Sequence, residues 1–491
     1  MRAPGIVLVA FAIAGCSRST PQAQPAAAGN TSTGKMSITS KSPEALEHYK
    51  KAEVFMVNSR VTEAAAESAE ALKLDPDFAL ARAVHAQSTP GLEGLTELEA
   101  AAAGAAALPE AERTLIEGTL AARRNEPAKA RAAYTKLTEL APADWRGHYL
   151  LGSLLLTSEE YSAAVPALRK AVELDSAAGG ANNMLGYAAL RQGDTEGAIK
   201  AFTEYAHALP QEPNPQDSLG EALLAAGRFK EAEAAFMKAL QISPQFFPAY
   251  DGLAYSRYYS GDSAGALDAL AKQKATATEA NDKLTAEEVR AVMLIAQKKT
   301  AEGLALYAGL EKMSDAMPGV VLIPAHRALV LADMGRARDA MPIVESALKR
   351  ADSSELPPAL AGPLRQQALS ARIIAETSSN SVDAAQQTAM LLEQQAREHP
   401  DDPLAQSAMH FGLGMAAMAA RDYAGARGHF EKCLTVDFYC RMQIVTAAEK
   451  GGDRTAANAA RTTLMKLYLR NPGYLWVRAR LQDTAAKRPT E

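Results

Sequence analysis

Three cysteines and eight scattered histidines in 491 residues leave little from which to build a metal centre. No HExxH or other paired ligand spacing occurs, so no metal and no cofactor is expected. Basic residues do not dominate either. With 52 Lys and Arg against 57 Asp and Glu, the net charge of −5 provides no positive field, and no Lys/Arg tract carries interleaved aromatics. A nucleic-acid partner is therefore not expected. Runs of β-branched residues are also few, which makes strands scarce. The apolar run from Gly5 to Ala14 is ten residues, about half of what a membrane-spanning helix needs.

What is present is Ala, Leu, Glu, Lys, Gln and Arg in long helix-compatible stretches, punctuated by single Gly and Pro residues. A chain about three times the usual domain length with this composition reads as one repetitive helical array. The opening MRAPGIVLVAFAIAGC has a basic residue, Arg2, an apolar core and small residues before Cys16, the pattern of a signal peptide over residues 1–15. Its end, Ile13-Ala14-Gly15-Cys16, resembles the lipobox of bacterial lipoproteins. That resemblance implies lipidation of Cys16 and an anchor in the bacterial cell envelope. Ser17 after the cysteine favours the outer membrane, facing the periplasm. Residues 16–42 hold almost no large apolar side chain and are expected to form a disordered tether.

From about Ala111 to Asn281 the sequence repeats every 34 residues. Small residues recur at Gly118, Gly152, Gly186, Gly220 and Ala254, and again at Ala130, Ala164, Ala198, Ala232 and Ala266. Bulky residues follow at Tyr134, Leu168, Phe202, Phe236 and Leu270, and Pro142, Pro210 and Pro244 close units. Small residues let two helices approach to about 8–10 Å, and the bulky residue fills the adjoining hole. Turns are expected at Gly193-Asp194, Gly227-Arg228 and Gly261-Asp262, where glycine takes φ > 0.

This pattern resembles the tetratricopeptide repeat, which implies an all-α fold: an α-solenoid of helix hairpins forming a superhelix. The resemblance extends, with looser register, to an N-terminal repeat and a degenerate one over 43–110, degenerate repeats over 282–402, repeat-like units over 403–484, and a polar tail at 485–491. Residues 351–402, with the polar segment Ser378 to Ser381, hold either a longer loop or a skewed helix pair. In the family, first helices line the concave face. Carrying those positions over implies a protein-binding groove of Arg146, Tyr149, Asn183, Tyr187, Asp217, Glu221, Asp251, Tyr255 and Tyr258. Tyrosine suits such a surface, because it combines apolar area with a polar tip.

Two apparent catalytic motifs dissolve in this register. Gly261-Asp262-Ser263-Ala264-Gly265 spells a serine-hydrolase elbow but falls at an inter-helix turn, where that motif needs a preceding strand. Gly412-Leu413-Gly414-Met415-Ala416-Ala417 lacks the βαβ unit of a dinucleotide site. No catalytic residue is expected, and the chain reads as a non-enzyme. Cys433 and Cys440 either form a disulfide or remain two buried thiols. The expected function is a lipid-anchored scaffold or adaptor whose partners are other envelope proteins or peptide segments. The alternative is a recognition module for a small ligand, such as a sugar or cell-wall fragment, signalling through a separate membrane protein.

Overall fold

The computed structural model describes residues 34–58, 60–175, 179–277, 280–314, 321–353, 356, 358–400 and 402–486. Among these the regular structure is helical: α-helices follow one another from Pro43–Val57 to Pro472–Ala486, with one 3-10 turn at Ala105–Ala107 and no strand. Consecutive helices pair as antiparallel hairpins and each hairpin packs on the next, which is an all-α solenoid. The signal segment, Cys16 and the tether as far as residue 33 lie outside the described residues, as does the tail from 487.

The repeat grammar acts through close contact. A Cβ placed on Gly118, Gly152 or Gly186 would lie 2.6, 2.6 or 2.5 Å from side-chain atoms of Tyr134, Leu168 or Phe202, sixteen residues on in each case. Each glycine is therefore the hole that its own bulky partner fills, and Gly414 does the same for Phe430. Leu168 and Phe202 are fully buried as a result, each contributing about 1.5–3 kcal/mol of apolar burial. Hairpin turns use one left-handed residue. Gly193, Gly227 and Gly261 have φ of +80°, +75° and +94°, while Asn125 and Glu159 fill the equivalent positions at +56° and +60°. The acid that follows the glycine is an N-cap: Asp194 accepts from Gly197 N and Asp262 from Gly265 N, both at 2.9 Å. The elbow-like motif thus lies between the helices Pro248–Ser260 and Ser263–Thr276.

The segment 351–402 resolves as a hairpin of two long helices, Pro358–Ser378 and Val382–Glu398, turning at Asn380 with φ of +55°. The tether departs from its expectation. Residues 34–42 run without helix but in a defined course, because three buried carboxylates hold their polar groups. Asp144 accepts from Met36 N at 3.2 Å, Glu112 from Thr39 N and Oγ1 at 3.0 and 2.7 Å, and Asp75 from Lys41 N at 2.7 Å. Lacking large apolar side chains did not leave this stretch free, since hydrogen bonds to buried acids hold it and Met36 enters the core.

The chain forms two compact units, Met1–Ala226 and Gly227–Glu491. In the first, Pro43–Val57 reaches across to Trp145–Thr157 and Gly179–Gln192: Glu53 pairs with Arg146, and Asn58 Oδ1 accepts from Gly180 N at 3.0 Å. In the second, Pro472–Ala486 returns to Ala280–Ala296 and Phe438–Lys450. Trp476 Nε1 there donates to Tyr439 Oη at 2.8 Å and to Asp333 Oδ2 at 3.1 Å. A disulfide joins Cys433 to Cys440, bridging the turn between Tyr423–Phe430 and Phe438–Lys450.

Candidate protein-binding surface

In the first unit the groove positions fall on three successive first helices, Trp145–Thr157, Gly179–Gln192 and Pro213–Ala225. Arg146 is not an open contact. Its guanidinium forks onto Glu53 at 2.5 and 2.6 Å and reaches Asp144 at 2.9 Å, while Tyr49 Oη donates to Glu53 at 2.5 Å. Burial lowers the pKa of Arg146, but the charges of Glu53, Tyr49 and Asp144 more than reverse this and hold it above its ordinary value. Such a network fixes the first helix against the fourth hairpin, and it commits Nε and both terminal nitrogens of Arg146 to Glu53 and Asp144. Tyr149 stacks edge-on with Trp145 at 5.8 Å, and burial pushes its hydroxyl above the ordinary range. Asp217 is buried.

The next two helices keep an accessible face. Asn183, Tyr187 and Glu221 are half-buried, and the first two adjoin through Ser218, whose hydroxyl lies 3.2 Å from Tyr187 Oη and 3.4 Å from Asn183 Oδ1. Tyr187 rests edge-on against Phe202, its ring centroid 5.0 Å away, so its orientation is set before anything binds. Polar tips on a fixed apolar body form a surface suited to a peptide with both backbone and side-chain contacts.

In the second unit Asp251, Tyr255 and Tyr258 share the helix Pro248–Ser260 with Tyr259. Tyr255 is fully buried and packs 6.2 Å from Tyr259. Asp251 pairs with Arg470 at 3.2 Å, and Tyr258 is half-buried. Spacing alone missed Tyr259, although it lies one residue beyond Tyr258: its hydroxyl donates to Leu469 O at 2.8 Å. Farther along, Asp333, Met415, Met418, Met442, Arg461 and Arg480 line a cavity of about 220 Å³. Both arginines are ion-paired, Arg461 to Glu449 at 2.5 Å and Arg480 to Asp333 at 2.8 Å.

His410 and His429 face each other at 5.8 Å between ring centroids, and the buried Nδ1 of each has no hydrogen-bond partner. Burial lowers both below the ordinary histidine value, and the neighbouring Lys432 works in the same direction. The sulfurs of Cys433 and Cys440 lie with an Asp437 oxygen inside 4.8 Å, but they are bonded to each other.

Helix hairpins of this length and packing define an α-solenoid of the repeat class. The tetratricopeptide-repeat family model matches residues 117–179 and 149–213, and a second tetratricopeptide model matches 217–246. The chain therefore carries tetratricopeptide repeats, the architecture of protein-interaction scaffolds. Among solved structures it is similar to MamA from Desulfovibrio magneticus RS-1, at 18% identity over 34% of this chain and 94% of that one, with a TM-score of 0.32. It is also similar to YrrB, described as a TPR protein with an unusual peptide-binding site, at 21% identity over 36% of this chain and 90% of that one, with a TM-score of 0.32. The pilF protein of Pseudomonas aeruginosa is 17% identical over 43% of this chain and 94% of that one, with a TM-score of 0.34. No curated protein matches the chain.

Proposed function

We propose that this protein is a lipid-anchored adaptor of the bacterial cell envelope, which holds partner proteins through the inner helices of its repeats. The observation that carries the binding role is the run of preorganised, half-buried polar and aromatic side chains Asn183, Tyr187 and Glu221 on successive first helices. Preorganised side chains lose little entropy on binding, and tyrosine has few rotors to freeze. Anchoring and outer-membrane location rest on the signal-like opening and the Ile13-Ala14-Gly15-Cys16 sequence. Acyl chains on Cys16 would each contribute about 0.8 kcal/mol per buried CH₂, enough for several chains to hold the protein at a membrane.

Two measurements test the two halves of the proposal. Cells fed an alkyne fatty acid should label the native chain but not Cys16→Ser, which should leave the membrane fraction; label-free native protein would sink the anchor. Crosslinking and mass spectrometry should capture envelope proteins with the native chain. A folded variant carrying Glu221→Lys and Tyr258→Ser should lose them, and undiminished capture would sink the inner-face role.

A second reading is supported by the cavity of about 220 Å³ in the second unit, where three methionines meet two paired arginines. A small ligand seated there would make the protein a recognition module signalling through a separate membrane protein. Its volume is below that of typical ligand pockets, which start near about 300 Å³, so the adaptor reading is preferred.

A further inference from the structure

The helix Arg454–Met465 ends at a non-helical stretch, and the next helix does not begin until Pro472. Within this bridge residues 468–470 contact Pro248–Ser260 and the preceding helix, Phe229–Ile242. Tyr259 Oη donates to the main-chain carbonyl of Leu469 at 2.8 Å. Arg470 donates from Nη2 to Pro248 O at 2.8 Å and from Nε to Asp251 Oδ2 at 3.2 Å, with its guanidinium 5.4 Å from the Phe236 ring centroid. Tyr468 stands edge-on to Phe229 at 4.8 Å and to Tyr259 at 5.4 Å. Gly227 leaves room for that ring, since a Cβ there would lie 3.2 Å from it.

One main-chain carbonyl, one arginine and one aromatic ring are thus read by side chains from two adjacent helices, which is how a peptide is recognised. The strap itself is half-buried along its length, whereas Leu464 before it and Tyr474 after it are buried. Leu467 O accepts from Tyr474 Oη at 2.5 Å and from Arg478 Nη1 at 3.1 Å, so the start of the bridge is tied to the next helix, and residues 468–470 are the part a competing segment would replace.

We propose that this face, formed by Phe229, Phe236, Asp251 and Tyr259, is a recognition surface for an extended protein segment in which an aromatic, an aliphatic and an arginine residue follow one another. Residues 468–470 occupy it in cis and a partner must displace them. The proposal rests on the reading of the array as protein-binding and names the chemistry of one partner. A tethered occupant acts at an effective concentration of order millimolar, so the strap excludes weak ligands and admits only segments that fit better. Arginine is central because its planar fork satisfies Asp251 and the Pro248 carbonyl while stacking on Phe236.

The test uses the full chain and a fluorescent peptide of residues 465–472. A strap variant, Tyr468→Ser with Arg470→Ser, is expected to bind this peptide at least about tenfold more tightly than the native chain, because its own competitor is weakened. Adding Asp251→Asn and Tyr259→Phe should abolish the gain. A folded strap variant that binds no better than native, or whose binding ignores those two changes, overturns the proposal. Should the strap variant not fold, the native chain is exposed to excess peptide carrying a photo-crosslinker in place of Tyr468. Adducts at Phe229 or Tyr259 support displacement, and their absence overturns it. If peptide binds but cells yield no partner, the surface stands and the adaptor reading fails. If partners are captured regardless of Asp251 and Tyr259, the adaptor reading stands and this surface fails.

Discussion

From the hairpin turn at Asn125 onward, one residue at each described hairpin turn takes a positive φ, and the chain meets that demand unevenly. Glycine does it at 193, 227, 261, 335 and 452, whereas Glu159 and Arg421 adopt +60° and +63° with a Cβ in place. Left-handed backbone costs an L-residue about 1–2 kcal/mol, and glycine returns up to about 1 kcal/mol of that through unfolded-state entropy. Glu159→Gly and Arg421→Gly are each expected to be neutral to about 1 kcal/mol stabilising, read by urea denaturation; a clear loss would contradict the turn assignment. The network of Glu53 and Arg146 behaves in the opposite way. Glu53→Gln leaves a buried guanidinium short of its partner and should cost roughly 3 kcal/mol or more. Asp77→Asn, which breaks the fully exposed pair with Lys41, should leave the melting temperature unchanged.

Titration gives a further residue-scale test. Burial lowers the pKa of His326, but Glu288, 2.6 Å from Nδ1, raises it by more, so the folded value lies above the ordinary 6.5. A raised histidine binds its proton more tightly when folded. It therefore contributes stability fully below pH 6.5, and that contribution fades as pH rises through the folded value. The difference in melting temperature between the native chain and Glu288→Gln should be largest near pH 6 and shrink in alkali. A constant difference would show that the pair is not acting through charge.

For single hairpins, sequence spacing and structure coincide closely where the repeat is regular. The sixteen-residue offset between small and bulky residues located the crossings of Gly118 on Tyr134, Gly152 on Leu168 and Gly186 on Phe202, because this contact is local and recurs every 34 residues. Gly152→Val should therefore destabilise the chain by about 1–3 kcal/mol through overpacking against Leu168, measured by denaturant titration. Register was illegible in 351–402, where both helices are longer than the repeat allows and Asn380 replaces the turn glycine. The docking of residues 34–42 was also illegible, because it depends on Asp75, Glu112 and Asp144, which sit from about 34 to 108 positions away and carry no local signature. Tyr259 was missed for the same reason, since its partner Leu469 is 210 residues distant.

At the scale of the molecule, each unit turns part of its inner surface to its own chain. Glu53 holds Arg146 in the first, and Arg470 holds Asp251 in the second. These closures join residues 93 and 219 positions apart, which no single repeat encodes, so first-helix positions inferred unit by unit included residues that the fold had already engaged. Asn183, Tyr187 and Glu221 keep accessible area, and the binding role is assigned to them. Photo-crosslinking in living cells addresses that assignment most directly, with a photoreactive amino acid placed at Asn183 on the inner helix or at the exposed Lys170 on the second helix of the preceding hairpin. The account predicts discrete protein adducts from position 183 and none from 170. Adducts from 170 alone, or from neither, would contradict an inner-face adaptor.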